Sequence, residues 1–479
     1  MRFYIILRYI GIILLLNAIF LFLSASISYY HGDTAFFPLL YSSLIALLFG
    51  LFPFIFVPPT DEISNKEGFT IVVGSWLLSC LIGTVPYILW GGEFTLTNAW
   101  FESVSGFTTT GSSILTNIEV LPKGLLFWRS ATHWIGGVGI IIFALSVLPS
   151  LGKVGMILYR SETSPLAVAN FRYRTKTALQ IIMVVYVGLT VLETIALMIC
   201  GMDRFDAVVH AFATIATGGF SPKNESIAFY NSVSIELVIM IFMVLSGLNF
   251  VLLFLAFSGK LKLFFRSTVA RFYLMLLAAG IVLTALNING NIYESWSSAL
   301  RYAAFQIISI GTSTGFATAD SNIWPPFSQL LILCFTLLCA CSGSTSGGIK
   351  VDRLVLLWHA IKKRIMVVEH PHAVIKAKID GHVIDEDILE AGLLFVTLYL
   401  VIVLLSTLAI TFMDVDIMTA FSASAATMGN VGPGFGLVGS VSNFSQIPEV
   451  GKWILTGDML LGRLEIFGIF LFFLLKFWE

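Results

Sequence analysis

The sequence predicts an all-α polytopic membrane protein with a four-fold internal repeat, and three observations lead there. Of 479 residues, 57% are hydrophobic and 11% charged, where a soluble domain carries about 25% charged residues; the mean hydropathy is +0.92. Ten apolar runs are long enough to cross a bilayer, which takes about 20 residues. Between some of them lie four shorter, more polar segments, each running into a glycine-containing loop.

The ten runs cover approximately 4–27, 37–57, 68–90, 125–149, 177–200, 232–257, 270–289, 327–359, 388–413 and 453–477. The 41 Phe suit lipid-facing helices. Arg2 and Arg8 precede the apolar stretch Tyr9–Ile27, and Ser24-Ala25-Ser26 imitates a cleavage site; the stretch is read as the first membrane helix. With the N-terminus in the cytoplasm and alternating spans, 20 of the 27 basic residues fall on the cytoplasmic side. The positive-inside rule favours that orientation and predicts both termini cytoplasmic. The near balance of 27 basic and 28 acidic residues excludes a nucleic-acid partner. The five cysteines, Cys80, Cys200, Cys334, Cys339 and Cys341, lie in or beside apolar runs and are read as packing thiols.

The short segments lie near 98–110, 206–217, 298–314 and 417–431, too short to cross and in the outer half of the bilayer in this orientation. They end in Thr109-Thr110-Gly111, Ala216-Thr217-Gly218, Ser313-Thr314-Gly315 and Asn430-Val431-Gly432, with the glycines 107, 97 and 117 residues apart. One such glycine is ordinary helix packing. Four, each after a short helix and between two spans, predict M1-P-M2 pore-loop repeats around a central pseudo-four-fold pore, with the first two spans as an extra N-terminal helix pair. Backbone at membrane depth must be hydrogen-bonded internally or line a wet cavity. Glycine lets carbonyl oxygens turn inward, rings of carbonyls replace a cation's hydration shell, and helix C-termini aimed at the pore favour positive charge. No loop carries Asp or Glu, which argues against selection of divalent ions. The expected units are 1–60 for the extra pair, then repeats 61–152, 153–260, 261–380 and 381–479.

The residues also resemble a known family. Phe101-Glu102-Ser103-Val104-Ser105-Gly106-Phe107-Thr108-Thr109-Thr110-Gly111 looks like the first pore loop of the Trk/Ktr/HKT superfamily of K+ transporters. Trp128-Arg129-Ser130 with Trp134-Ile135-Gly136-Gly137-Val138-Gly139 resembles the start of the following helix. Ser342-Gly343-Ser344-Thr345-Ser346-Gly347-Gly348-Ile349-Lys350 resembles the loop that breaks a helix in the third repeat, and Gly429-Asn430-Val431-Gly432-Pro433-Gly434 the fourth pore loop. The extra N-terminal pair resembles the bacterial TrkH/TrkG branch rather than KtrB. The resemblance implies a K+ translocation subunit of a bacterial inner-membrane uptake system, channel or symporter. It implies K+ as substrate, bound by backbone of the twelve loop residues above, no covalent cofactor, a homodimer, and a cytosolic nucleotide-binding RCK-type regulatory subunit. Members that carry Na+ often have Ser at the first filter glycine; glycine at Gly111, Gly218, Gly315 and Gly432 implies K+ preference. The second loop is atypical in its Ala216.

The run 327–359 is interrupted by Ser342, Gly343, Ser344, Thr345, Ser346, Gly347 and Gly348. Three glycines cost a helix about 1 kcal/mol each. They mark either a kinked packing segment or a flexible barrier below the filter, and the resemblance favours the barrier. Arg463 is a charge deep in the last run, costly enough to need a cavity or partner; the resemblance places such an arginine in the pore beside the flexible loop. Glu193, His133 and His210 are read as packing or hydrogen-bonding groups, with proton coupling the alternative for Glu193. The polar stretch 361–387 and the basic loop 151–176 are candidate docking surfaces. Two other classes fit less well. A secondary transporter for organic anions needs helix N-termini and buried charges at mid-membrane. An intramembrane enzyme needs a nucleophile with a base or a metal motif, and Ser and His do not co-locate in that way.

Overall fold

The structure, a computed structural model, describes residues 2–58, 64–146, 175–370, 372, 378–380, 382–384 and 386–466. Helices α1 (Phe3–His31) and α2 (Phe36–Phe56) form an antiparallel hairpin. Gly11 and Gly50 face each other so closely that a Cβ on either would meet the other's carbonyl oxygen at 2.8 Å, the small-residue packing of membrane helices. Helix α3 (Asn65–Trp90) opens on a capping box of Ser64 and Glu67. Arg2 pairs with the same Glu67 at 2.9 Å, fastening the N-terminus to the start of α3.

From α3 onward one order recurs. A long helix leads to a short buried helix, an irregular loop and another helix. The first instance is α3, α4 (Leu96–Phe107) and α5 (Lys123–Ser146). The second is α6 (Thr175–Ile199), α7 (Arg204–Ile215), α8 (Val233–Ser246) and α9 (Phe250–Phe257). After the six-residue α10 (Leu261–Arg266) come α11 (Thr268–Ile288), α12 (Trp296–Gly311), α13 (Pro326–Leu337) and α14 (Val351–Glu369). The last is α15 (Glu386–Thr411), α16 (Ile417–Met428) and α17 (Glu449–Arg463). The short helices are the inside of the molecule: in α4 every residue from Phe101 to Phe107 is buried. Large apolar side chains such as Phe49, Phe52, Leu404 and Leu405 are exposed on the outside, as lipid solvation demands.

Six helices among the described residues are long and apolar enough to cross a membrane, and the pair α8–α9 makes a seventh if counted as one span. The predicted run 232–257 is not a straight helix. It bends by 109° between α8 and α9. Gly247 weakens the helix there, and the Asn249 side chain caps α9 by accepting from the Val251 and Leu252 amides. The run 327–359 is broken over a longer stretch than Ser342–Gly348. Leu338–Cys339 pairs in parallel with Ile349–Lys350, so the chain loops out and returns to the same level before α14 starts. In the run 453–477, α17 stops at Arg463 because Glu465 and Ile466 turn left-handed (φ 56° and 46°). Residues 467–477, 147–149 and nearly all of the basic loop 151–176 lie outside the described residues, as does part of 361–387.

Candidate functional site

The four short helices hand over to their loops by one backbone device. The first residue past each helix, Thr108, Ala216, Thr312 or Gly429, has ψ within about 10° of zero. The next residue is left-handed: Thr109 (φ 53°), Thr217 (54°), Ser313 (56°) and Asn430 (52°). The residue after that returns its amide five positions, Thr110 to Ser105, Gly218 to Ala213, Thr314 to Ser309 and Val431 to Ala426, at 2.8–2.9 Å. This is the Schellman closure of a helix, which usually puts glycine at the left-handed position. Here three β-hydroxy residues and an asparagine hold it instead, a cost of about 1–3 kcal/mol each that clusters at functional sites.

A left-handed glycine follows two residues later: Gly111 (φ 81°), Gly219 (80°), Gly315 (85°) and Gly432 (99°). The register of the second loop is therefore corrected by one. Its counterpart of Thr109-Thr110-Gly111 is Thr217-Gly218-Gly219, and Ala216 corresponds to Thr108 at the helix end. The sequence carries two adjacent glycines, and matching the Thr217-Gly218 pair to Thr110-Gly111 differs by one residue from the register of the backbone dihedrals. Dihedral angles separate them.

These glycines close a ring. A Cβ on Gly111 would meet the carbonyl oxygen of Gly218, one on Gly219 that of Thr314, and one on Gly315 that of Val431; one on Gly432 would return to Thr110, at 2.7 Å. Each loop is backed by the next, and the fourth by the first, so glycine is needed for its dihedral and for the close approach. Hydroxyl pairs brace the first and third loops alike, Thr108 to Thr110 and Thr312 to Thr314, both at 2.8 Å. The Asn430 amide donates to Thr110 Oγ1 at 2.9 Å and Ser112 Oγ to the Gly432 carbonyl at 3.0 Å, joining the fourth loop to the first. An open cleft is lined by all four of these glycines together with Ser112, Ser221, Lys223 and Phe444.

The loops are held by a charge pair that sequence reasoning did not single out. Arg129 of α5 binds Glu102 of α4 at 2.7 Å, both fully buried. Glu102 also accepts from Ser113 Oγ and the Ile114 amide just past the first loop, at 3.0 and 3.1 Å. Arg129 donates to the Ser221 carbonyl past the second loop and lies 4.0 Å from the Phe220 ring. A buried carboxylate and guanidinium this well hydrogen-bonded are locked in place. The available signal was the presence of Glu102 and Arg129 in segments otherwise nearly free of charge. His133 Nδ1 donates to the Gly106 carbonyl at 2.8 Å and its Nε2 accepts from the Phe220 amide at 3.3 Å, an assignment that fixes the tautomer. His210 bonds the Asp206 carbonyl and Ser221 Oγ. Glu193 is fully buried in α6.

The structure brings Ser342–Gly348 and Arg463 together with two of the loops. Thr345 Oγ1 donates to the Ile215 carbonyl at 2.9 Å and receives Thr217 Oγ1 at 3.3 Å. Gly347 lies so close to Asn430 that a Cβ would collide with its side chain. Arg463 Nη1 donates to the Thr345 carbonyl at 2.5 Å, and Nη2 to the Gly136 carbonyl of α5 at 3.1 Å. The segment is internally ordered: Ser344 donates to the Cys341 carbonyl and the Ser342 amide to Asp352, at 2.6 and 2.7 Å. Just past it in the chain, Lys350 pairs with Glu465 at 3.3 Å, and Arg353 pairs with the same carboxylate.

Comparison with known proteins agrees in fold and sequence. A family model described as TrkH, cation transport protein, matches residues 44–478. The chain belongs to the TrkH family of cation transport proteins. It is 39% identical over 422 residues to the Trk system potassium uptake protein TrkH of Escherichia coli (strain K12), covering 87% of each. It is 33% identical to the TrkH protein of Vibrio parahaemolyticus over the full length of both, and 32% to TrkG of Escherichia coli over 87% of this chain and 86% of that one. The crystal structure of the potassium transporter TrkH from Vibrio parahaemolyticus superposes with a TM-score of 0.90 at 31% identity, covering all of both chains. The TrkH-family chain is thus a helical, multi-pass membrane protein of a transport class, not an enzyme.

Proposed function

We propose that this TrkH-family chain is the K+-selective translocation subunit of a bacterial inner-membrane potassium uptake system. The observation that carries the reading is the closed cycle in which Gly111, Gly219, Gly315 and Gly432 each pack on the carbonyl of the next loop. Such a ring of backbone oxygens suits a dehydrated monovalent cation. The potassium uptake named for its relatives supplies the substrate. In this reading the chain has ten spans, counting the broken runs as spans. It forms four M1-P-M2 repeats around a pseudo-four-fold pore, at 61–152, 153–260, 261–380 and 381–479, with 1–60 as the extra pair. The filter consists of Thr109-Thr110-Gly111, Thr217-Gly218-Gly219, Ser313-Thr314-Gly315 and Asn430-Val431-Gly432.

Ser342–Gly348 closes the pathway beneath the filter, and Arg463 holds it there while opposing cations with its own charge. Both termini face the cytoplasm. The membrane subunit works as a homodimer under an RCK-type nucleotide-binding regulator that docks on the basic cytoplasmic face. Rb+ uptake in cells lacking their own K+ transport tests the proposal. Uptake that K+ inhibits far better than Na+ is the expected result; no uptake, or equal inhibition by both ions, overturns it.

A further inference from the structure

The two broken helices on the inner side of the ring are interlocked residue by residue. Where α8 gives way to α9, groups of Gly247, Asn249 and Phe250 meet the three successive residues Cys341, Ser342 and Gly343 at the start of the serine–glycine loop. The Gly247 carbonyl accepts from the Cys341 amide at 2.9 Å, the Asn249 side-chain amide donates to the Ser342 carbonyl at 2.9 Å, and the Phe250 amide donates to the Gly343 carbonyl at 3.1 Å. Asn249 is buried and works in both directions. Its Oδ1 caps α9 by accepting from Val251 and Leu252 at 3.0 and 3.1 Å, while its Nδ2 holds the loop. The fit leaves no slack: a Cβ on Gly343, which is left-handed at φ 77°, would collide with the Asn249 amide. One on Gly247 would meet Tyr273 Oη and, at 3.1 Å, the Ala340 Cβ.

We propose that Asn249 is a positioning residue for the gate: the elbow between α8 and α9 sets the resting place of Ser342–Gly348, so that a swing of α9 draws the loop away from the filter. The inference rests on the reading of that loop as a gate. The physical basis is that the loop's own glycines cannot define one conformation. Its position is set together with neighbouring elements, Arg463 holding Thr345 and Asn249 holding Ser342 among them. Helix α9 carries the connection to α10 and on to α11, so a force applied there reaches the loop through one side-chain amide and two backbone bonds.

The test is Rb+ efflux from vesicles containing the full-length protein, with Asn249→Ser beside Arg463→Ala. Serine keeps the cap on α9 but is too short to reach Ser342. Asn249→Ser is expected to raise the resting flux about threefold to tenfold, the factor that one buried hydrogen bond carries, with the Rb+ to Na+ ratio unchanged. A merely structural defect lowers flux or degrades that ratio, and Asn249→Ala, which loses cap and link together, shows such damage. If Arg463→Ala raises flux and Asn249→Ser does not, the coupling is wrong and the gate reading stands. If neither raises flux while both proteins elute as the parent does, the gate reading itself fails, and this inference with it.

Discussion

Arg463 donates from Nη1 to the carbonyl oxygen of Thr345 at 2.5 Å, across 118 residues of chain. Its Nη2 reaches Gly136 on α5, so one guanidinium ties the serine–glycine loop to the helix that follows the first of the four loops. A planar guanidinium spreads its donors over a fixed fork that reaches two carbonyls in this way; an ammonium offers its donors from one nitrogen without that fork. Arg463→Ala is expected to raise Rb+ flux about tenfold, a fall of about 1.4 kcal/mol in the barrier. Arg463→Lys, with the charge kept and the fork geometry lost, is expected to fall between the parent and the alanine variant. Equal flux in all three, with intact protein, would show that neither the charge nor the bridge limits conduction.

The Glu102–Arg129 pair makes a separate prediction about stability. Removing one partner strands the other charge out of water, at a cost of about 3–5 kcal/mol. Glu102→Gln is expected to lower the unfolding temperature in detergent by many degrees and to reduce Rb+ uptake, because Ser113, Ile114 and Ser221 lose their common anchor. The double variant Glu102→Gln with Arg129→Met buries no charge and is expected to recover part of the lost stability but not the uptake. An unfolding temperature unmoved by Glu102→Gln would mean that the pair holds nothing.

Much of this organisation was legible in the residues, and the places where it was not have physical reasons. Periodic apolar length finds spans such as α1 and α15, because the bilayer imposes length directly. It failed at Gly247–Asn249, since one glycine and one asparagine in a run of apolar residues are too weak a signal to predict a bend of 109°. The glycines of the serine–glycine loop marked a break. Its true extent, back to Leu338 and on to Lys350, depends on a two-residue strand pairing that has no sequence pattern. In the ring, the residue-type alignment of three loops coincides with their backbone dihedrals at Gly111, Gly315 and Gly432. The second needed dihedral angles, since Gly218 and Gly219 are chemically identical. The partners of Arg129 and Arg463 are mostly carbonyl oxygens and a distant carboxylate, which no linear motif records.

The N-terminal end of α16 offers a test by pH. Asp416 caps the helix by accepting from the Thr419 amide at 2.9 Å, and the hydrogen bonds to Thr419 hold its carboxyl below the ordinary aspartate value of 3.8. A carboxyl depressed in the folded state contributes stability that is complete above its unfolded value. That contribution is lost as the pH falls through the folded one. Asp416→Asn keeps a capping oxygen but carries no charge to meet the helix N-terminus. The parent is therefore expected to melt higher than the variant near neutrality, with the gap closing below about pH 4. A gap that widens in acid would contradict the assignment.

The corrected register of the second loop yields the sharpest comparison, because it rests on two adjacent glycines. Gly219 is left-handed at φ 80°, and a Cβ there would run into the Thr314 carbonyl. A side chain at this point strains the backbone and pushes on the oxygen of the neighbouring loop at once. Gly219→Ala is expected to cut Rb+ uptake by about tenfold or more and to erode the preference for K+ over Na+, and Gly111→Ala is expected to do the same, since a ring of carbonyls discriminates by their number and placement. At Gly218 a Cβ would instead meet the His133 ring at 2.5 Å. Gly218→Ala therefore acts through displacement of an imidazole that links the Gly106 carbonyl to the Phe220 amide. Its damage is expected as a lower unfolding temperature with ion preference kept. Competition of K+ and Na+ against Rb+ in the two variants decides between the registers. Loss of preference in Gly218→Ala together with full preference in Gly219→Ala would restore Ala216-Thr217-Gly218 as the filter segment.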